Sequence, residues 1–126
     1  MAKRIVFTEK APKPVGPYSQ AVISGDFVFI SGQIPLDPKS SNVVEGGIEA
    51  QTVQVLENLK NILESIGLTL DDVVKISVFL SNLNDFQAFN RVYSKYFDKN
   101  LPARTTVQAG LMAVVLLEVD TIAKKS

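Results

Sequence analysis

The alternation of apolar and polar residues predicts three strands in the first quarter of the chain. Residues 4–7 form a short apolar run, and the runs 20–24 and 27–31 flank Gly25-Asp26. Two apolar runs separated by such a two-residue turn are typical of a β-hairpin. Between the first strand and the hairpin, the sequence APKPVGPYSQ is rich in proline and glycine, so it predicts a loop.

Two helices are predicted further along the chain. Over 48–66 the apolar residues recur at helical spacing on one face, and Gly67 follows as a C′ residue, where glycine readily adopts a positive φ. Asn84 lies three residues before Gln87, which predicts a capping box at the start of the second helix. The apolar stripe of this helix indicates core packing rather than a binding surface. It comprises Phe86, Phe89, Val92, Tyr93, Tyr96 and Phe97.

The remaining segments complete an α+β domain. Strands are predicted over 73–80, 104–109 and 113–122, and 35–47 is a polar connection dense in turn-forming residues. The order of elements is therefore βββαβαββ. Helices that join neighbouring strands predict right-handed crossovers on a mixed sheet, with both helices on one face. A chain of 126 residues is expected to form a single domain over 1–126.

The other face of this sheet would have no cover from the chain itself. In the last predicted strand, Val114, Leu116 and Val119 cannot all point the same way as Val115 and Leu117, so both faces are apolar. An exposed apolar sheet face of that size is rare in monomers. We therefore predict that other copies of the chain cover it.

Composition and charge narrow the range of functions. The chain has 13 Lys and Arg residues against 13 Asp and Glu residues, and its formal net charge of zero argues against a nucleic acid as the main partner. Because it has neither cysteine nor histidine, thiolate nucleophiles, Cys/His zinc sites and imidazole acid–base pairs are excluded. The N-terminus lacks the apolar core of a signal peptide, and no apolar run reaches membrane-spanning length. A soluble, cytoplasmic protein is expected.

Glu118 is unusual because it interrupts the apolar segment LMAVVLLEV. An ionised carboxylate in an apolar strand is costly unless it is paired or hydrogen-bonded. Three interpretations stay open: an edge position facing water, a structural ion pair, or a position lining a site. Asp120 would share the face of Glu118 in a regular strand, but it lies nearer the strand end and is expected to be exposed.

Arg104 follows Pro102 and Ala103 at the start of a predicted strand, which is a rigid place to mount a side chain. Its guanidinium offers a planar fork of donors suited to a carboxylate. Spacing alone leaves open a plain surface position, a structural pair with Glu118, and contact with the carboxylate of a small substrate. Ser19 and Ser31 have no base to activate them, so turn-capping hydrogen bonds are favoured over a serine nucleophile.

Seven segments of the chain, taken in their order, resemble the RidA (YjgF) family of reactive intermediate deaminases. The resemblance covers nearly the whole chain, and it depends on the joint order of the segments rather than on any single motif. The segments are GPYSQA at 16–21, FVFISGQIPLDP at 27–38, QTVQVLENLKNILESIG at 51–67, DVVKISVFL at 72–80, DFQAFNRVYSKYF at 85–97, PARTTV at 102–107 and LEVDTIA at 117–123.

This resemblance implies a chorismate-mutase-like fold and a homotrimer whose sheets pack around a central barrel, with three clefts between adjacent subunits. It also implies hydrolysis of 2-imino acids, such as 2-iminobutanoate and 2-iminopropanoate, to 2-oxo acids and ammonia without a metal or cofactor. A module that binds small carboxylates without turnover is the alternative. RNA cleavage, proposed for relatives, has little support in a chain without histidine or a basic stripe.

Matched position by position, the resemblance implies roles for seven residues. Arg104 would grip the substrate carboxylate, and Glu118 would handle a water. The residues expected to line the cleft are Tyr18, Ser31, Gly32, Asn90 and Thr106. Thr106 stands where the family often has cysteine, which rules out a required thiol, and Met112-Ala113 replaces a proline-lysine pair at the rim of the cleft. The apolar neighbours of Glu118 are expected to raise its pKa, whereas a nearby Arg104 would lower it.

Overall fold

A computed structural model describes residues 2–125 and confirms the predicted order of elements, βββαβαββ. Short 3₁₀ turns, Leu70–Asp72 and Leu83–Asp85, precede the fourth strand and the second helix. Gly67 follows the first helix with φ 79°, as its predicted C′ position requires. The elements are β1 (Arg4–Val6), β2 (Ala21–Ser24), β3 (Phe27–Gln33), α1 (Gly47–Ser65), β4 (Val73–Leu80), α2 (Phe86–Tyr96), β5 (Ala103–Gln108) and β6 (Leu117–Lys124).

The six strands form one mixed sheet in the order β1-β2-β3-β6-β4-β5. Four of the five neighbouring pairs are antiparallel, and only β4 and β5 run parallel. A parallel pair needs a crossover connection, and α2 lies in the connection between these two strands. The predicted α+β class with two helices on a mixed sheet is confirmed.

The hydrophobic core lies between the sheet and the two helices. Strand β6 shows why: Leu117, Val119 and Ala123 are buried, whereas the alternate positions Glu118 and Asp120 are only partly buried on the opposite face. α1 contributes five apolar side chains with no exposed surface. They are Val55, Leu56, Leu59, Ile62 and Leu63.

The aromatic stripe of α2 packs largely as predicted. Phe89 and Tyr93 are buried with ring centroids 5.4 Å apart, and Tyr93 stacks on Phe97 at 4.6 Å. Phe86 is the exception, since 37% of it is exposed at the start of the helix. The stripe is therefore buried at Phe89, Tyr93 and Phe97 and partly exposed to solvent at Phe86.

The predicted strand over 113–122 is wrong at its start, because β6 begins only at Leu117. Ala113 has a positive φ of 64°, which interrupts an extended chain, and Val114 is 92% exposed. The Leu116 N–H donates to Gln51 Oε1 on α1 at 2.9 Å rather than to a neighbouring strand. Consecutive apolar residues therefore belong to a loop here, and the two-faced strand inferred from them does not exist.

The open face of the sheet is nevertheless apolar, through a row of residues that crosses four strands. Ile5, Val22, Phe29 and Ile122 lie directly opposite one another across four neighbouring strands. Ile5 is 54% exposed and Phe29 is 47% exposed. No element of residues 2–125 covers this row, in agreement with the predicted open face of the sheet.

The predicted capping box at Asn84 and Gln87 is also wrong. Asp85 occupies the N-cap position of α2 and makes no side-chain capping hydrogen bond. Asn82 instead caps the preceding 3₁₀ turn, where its side chain accepts a hydrogen bond from the Asn84 N–H at 2.9 Å. The extra turn shifts the helix start by one position.

Across residues 2–125, neither helix is both long enough and apolar enough to cross a membrane.

Candidate functional site

The seven residues expected at the site fall into two groups on opposite faces of the sheet. Arg104 and Thr106 lie opposite Ile76 and Val78, whose side chains are buried, so their side chains point to the helix-covered face. Glu118 lies opposite Phe79 and alternates with the buried positions of β6, which puts it on the open face.

Two half-sites result. The arginine half-site comprises Arg104, Asn90 and Thr106. The carboxylate half-site comprises Glu118, Tyr18, Ser31 and Gly32.

In the arginine half-site, α2 fixes the guanidinium of Arg104. Its Nη1 donates a hydrogen bond to Asn90 Oδ1 at 2.9 Å. Its Cζ lies 4.8 Å from the ring centroid of Tyr93 and 5.7 Å from those of Phe86 and Phe89. Cation–π contacts of this kind orient an arginine without using its N–H donors. Of five N–H donors, only one is engaged with Asn90, so a planar edge can still receive an anion.

Three buried hydroxyl groups of the described residues lack hydrogen-bond partners, those of Tyr93, Thr106 and Thr121, and the first two concern the arginine half-site. Within residues 2–125, neither the Tyr93 phenol nor the Thr106 hydroxyl makes a hydrogen bond, although both oxygens are buried. Burial raises the pKa of Tyr93 and the Arg104 charge partly offsets this rise, so the phenol stays neutral at physiological pH. Unpaired buried hydroxyls are costly and usually have a reason. Tyr93 contacts the Arg104 guanidinium, and Thr106 follows Arg104 by two residues on the same face of β5.

In the carboxylate half-site, Glu118 lies directly over the backbone of Gly32. A Cβ placed on Gly32 would be 2.8 Å from the carboxyl carbon of Glu118 and 3.1 Å from its Cγ. Both distances are shorter than ordinary contacts, so only glycine leaves room for this carboxylate. An open cleft of about 660 Å³ surrounds the pair, with Val15, Ile34 and Met112 among its apolar walls.

The environment of Glu118 raises the pKa of its carboxyl group. Burial is the main cause, and the negative charge of Asp120 adds to it. This agrees with the direction expected from the apolar neighbours of Glu118. Arg104 lies on the other face, and the ion pair in the described chain joins Arg91 to Glu49 at 3.9 Å instead. The structural pair considered for Arg104 and Glu118 is therefore absent from residues 2–125.

Tyr18 and Ser31 border the same cleft but use their hydroxyl groups differently. The Tyr18 hydroxyl accepts a hydrogen bond from the Val15 N–H at 3.2 Å, and 47% of the residue is exposed. The Ser31 hydroxyl donates to the Ser19 carbonyl at 2.6 Å. Ser31 therefore ties together two segments that are 12 residues apart, which differs from the predicted turn-capping hydrogen bond. Tyr18 exposes its ring to the cleft.

Sequence reasoning missed the aromatic clamp around Arg104. The sequence indicates only core packing for Phe86, Phe89 and Tyr93, because helical spacing does not show which end of a strand the helix covers. Their spacing of three and four residues around Asn90 was the available signal, since it places all four side chains on one side of α2.

Comparison with known proteins places this geometry in a family. Residues 8–125 match the family model described as endoribonuclease L-PSP. The chain belongs to the RidA family. A RutC family protein of Saccharolobus solfataricus is 56% identical over 125 residues, covering 98% of this chain and 99% of the relative. The human 2-iminobutanoate/2-iminopropanoate deaminase is 40% identical over 124 residues, with 98% and 90% coverage.

Solved structures of RidA relatives share the same fold. RidA from an Antarctic Psychrobacter bacterium superposes with a TM-score of 0.92 at 41% identity, covering 96% of this chain and 98% of that one. The structure of TdcF from E. coli with bound serine superposes with a TM-score of 0.91 at 38% identity, with 98% and 99% coverage. These likenesses confirm the chorismate-mutase-like architecture expected from the sequence.

Proposed function

We propose that this RidA-family chain hydrolyses 2-imino acids to 2-oxo acids and ammonia. The observation that carries the proposal is the guanidinium of Arg104, held by Asn90 and three aromatic rings with N–H donors left free. A planar edge of this kind suits the carboxylate of a small organic acid. The likeness to the human imine deaminase supports the reaction type, and the likeness to a relative that binds serine supports an amino-acid-sized ligand.

The active unit is a homotrimer in this proposal, with the arginine half-site of one protomer facing the carboxylate half-site of the next. Arg104 and Glu118 point to opposite faces of one sheet, so one small substrate cannot reach both within a protomer. The uncovered apolar row with Ile5 and Phe29 supports burial of the open face against other copies. A cleft completed by a second chain also offers partners to the unpaired hydroxyls of Tyr93 and Thr106.

Replacing Phe29 by glutamate is expected to convert the trimer to monomers, because a carboxylate buried in an apolar interface has no partner there. Light scattering at micromolar concentration should show the mass falling from three protomers to one. Val53→Glu is the matched control, since Val53 is 41% exposed on α1, away from the sheet face, and should leave the trimer intact. A wild-type mass of one protomer would contradict the assembly.

The reaction needs a fixed substrate, a water above the C=N carbon and a route for protons. Two parallel hydrogen bonds from Arg104 would fix the substrate carboxylate and the plane of the imine. The Glu118 carboxylate would take a proton from water as the new C–O bond forms, and would return it to nitrogen. The product of this addition is a carbinolamine. Glu118 would then move the proton of its hydroxyl group to its nitrogen, so that the C=O bond forms as the C–N bond breaks and ammonia leaves. Tyr18 would form one wall of the cleft. The neighbouring Val15 and Met112 would favour substrates with small apolar side chains.

A coupled assay on freshly generated 2-iminobutanoate tests the function directly. Hydrolysis above the spontaneous rate, with 2-oxobutanoate and ammonia as products, is the expected result. Binding of 2-oxobutanoate without rate enhancement would favour a carboxylate-binding module instead. Incubation with single-stranded RNA is the third arm, and no cleavage is expected because the chain has zero net charge and no histidine.

Replacing Gly32 by alanine is expected to lower kcat by about 10- to 100-fold, since displacing a reacting group by about 1 Å has effects of that size. The new methyl group would force Glu118 out of its position over the backbone. Gly110→Ala is the control, because nothing lies within 4 Å of a Cβ built there. Equal kcat values for the Gly32 variant and the wild type would mean that the position of the carboxylate is not needed.

A further inference from the structure

A buried amide holds the loop that presents Tyr18. Gln20 is 2% exposed, immediately before β2, and its side chain bonds only to backbone groups of the loop at residues 8–12. Its Oε1 accepts a hydrogen bond from the Thr8 N–H at 2.8 Å. Its Nε2 lies within hydrogen-bonding distance of three carbonyl oxygens, those of Thr8 at 3.0 Å, Ala11 at 3.3 Å and Pro12 at 2.9 Å.

Only a neutral amide fits this set of partners. The site offers one N–H donor at one end and three carbonyl acceptors at the other. Glutamine supplies an acceptor and an NH₂ group in one planar unit, whereas a carboxylate would face the carbonyls with negative charge and an ammonium would leave the Thr8 N–H unpaired. The backbone carbonyl of Gln20 also accepts a hydrogen bond from the Ser31 N–H at 2.9 Å. One residue thus ties the loop to the strand end beside Gly32.

The position of this amide connects it with the carboxylate half-site. Between β1 and β2 the chain has no helix or strand, so the loop that carries Tyr18 depends on side-chain hydrogen bonds for its shape. Pro12, Tyr18, Gln20 and Gly32 all line one small cavity of about 20 Å³. A shift of residues 8–12 would therefore move Pro12 in the wall that it shares with Tyr18, and Tyr18 also borders the cleft of Glu118.

We propose that Gln20 is a positioning residue for the site: its buried side chain fixes residues 8–12 and thereby sets the Tyr18 ring against the carboxylate half-site. The activity readout of this inference rests on the proposed deaminase function. The fixing of the loop itself is measurable without turnover.

A double-mutant cycle tests whether Gln20 acts through Tyr18. Gln20→Met keeps the length and bulk of the side chain and removes all four hydrogen bonds. In the wild-type background it should lower kcat/KM for 2-iminobutanoate by about 10- to 100-fold, as expected for a misplaced site group. In a Tyr18→Ala background the same change should cost less than about threefold, because the side chain that Gln20 positions is gone. Equal losses in both backgrounds would overturn the proposal.

Val55→Ala controls for general loss of stability. Val55 is fully buried on α1 and lines neither half-site, so a truncation there lowers the unfolding temperature without touching the loop. We expect Val55→Ala to lower the unfolding temperature as much as Gln20→Met does, with kcat/KM within about twofold of wild type. This result would show that lost stability alone does not explain the effect of Gln20→Met. If Val55→Ala lost as much kcat/KM as Gln20→Met, the positioning role would be wrong.

Amide hydrogen exchange separates this inference from the function itself. In Gln20→Met, exchange at the amides of residues 8–18 should rise by at least about tenfold, while α1 should stay as protected as in the wild type. This result is expected whether or not the protein proves to hydrolyse imino acids. Unchanged exchange at residues 8–18 would overturn the inference even in an active enzyme, and an inactive wild type would overturn only the proposed function.

Gln20→Glu provides a second variant in case the methionine protein does not fold. A protonated glutamic acid can still accept from the Thr8 N–H and donate to one carbonyl, whereas its carboxylate form would repel all three carbonyl oxygens. The kcat/KM of this variant, divided by that of the wild type at each pH, should fall at least about tenfold from pH 5 to pH 8. A ratio that does not depend on pH would contradict the proposed contacts.

Discussion

Replacing Arg104 by lysine is expected to lower kcat/KM for 2-iminobutanoate by about 100-fold, which corresponds to ~2.7 kcal/mol of transition-state stabilisation. Lysine keeps the positive charge but loses the planar fork that can make two parallel hydrogen bonds. It also loses the broad cation–π contact with Tyr93 and the hydrogen bond to Asn90 that fix the guanidinium. Steady-state kinetics on freshly generated substrate, together with the affinity for 2-oxobutanoate, would measure both effects.

Arg91→Lys is the matched control for this substitution. Arg91 follows Asn90 on α2, but its side chain is 64% exposed and its ion pair with Glu49 at 3.9 Å lies on the surface. Surface pairs of this kind contribute little, so kcat/KM should stay within about twofold of the wild type. Unchanged turnover in Arg104→Lys would refute anchoring by the guanidinium fork. Equal losses in both variants would point to a general effect on α2.

The order and type of elements could be predicted because they depend on local patterns. Helical spacing over 48–66 and the turn at Gly25-Asp26 are properties of neighbouring residues, and both are borne out. The start of β6 could not be predicted, because Val114 and Val115 are as apolar as a strand requires. What separates them from the strand is the positive φ of Ala113 and the hydrogen bond that the Leu116 N–H donates to Gln51, a residue distant in sequence.

The candidate site was harder to predict than the fold, because its two charged residues lie on opposite faces of the sheet. Residue types and the family resemblance could select Arg104 and Glu118 without showing how they are arranged. Their separation follows from the registers of β4 with β5 and with β6, which no single segment of sequence contains. In the proposed mechanism, the same registers mean that a second protomer must bring an arginine half-site to Glu118.

Asp120→Asn should shift the pH dependence of the enzyme without removing its activity. Asp120 lies two residues from Glu118 on the same face of β6, and its charge helps to raise the pKa of Glu118. Removing that charge should move the acid side of the kcat/KM profile to lower pH. A profile identical to that of the wild type would mean that Glu118 is not the group that titrates.

Replacing Glu118 by glutamine is expected to lower kcat by about 100-fold or more, since general acid–base groups contribute on that scale, with a smaller change in KM. The wild-type profile should rise with pH as Glu118 loses its proton, because the carboxylate form is the base. Burial and Asp120 raise the pKa of Glu118 within a protomer, whereas the arginine half-site of the neighbouring protomer would lower it in the proposed trimer. The glutamine variant should lack this rise. Measured kcat between pH 4 and pH 9 checks both statements, and full activity in the variant would leave Glu118 a purely positional role.

The same substitution should increase stability as it lowers activity. Within one protomer, burial and the charge of Asp120 raise the pKa of Glu118, so folding of the protomer favours the protonated form. The carboxyl group therefore contributes most stability below its unfolded pKa of about 4.3, and that contribution is lost as pH rises through the folded pKa. Unfolding temperatures should consequently be similar for the two proteins at pH 4 and higher for Glu118→Gln at pH 8. A variant less stable than the wild type at pH 8 would show that the carboxylate is satisfied in the folded protein, and it would then be a poor base.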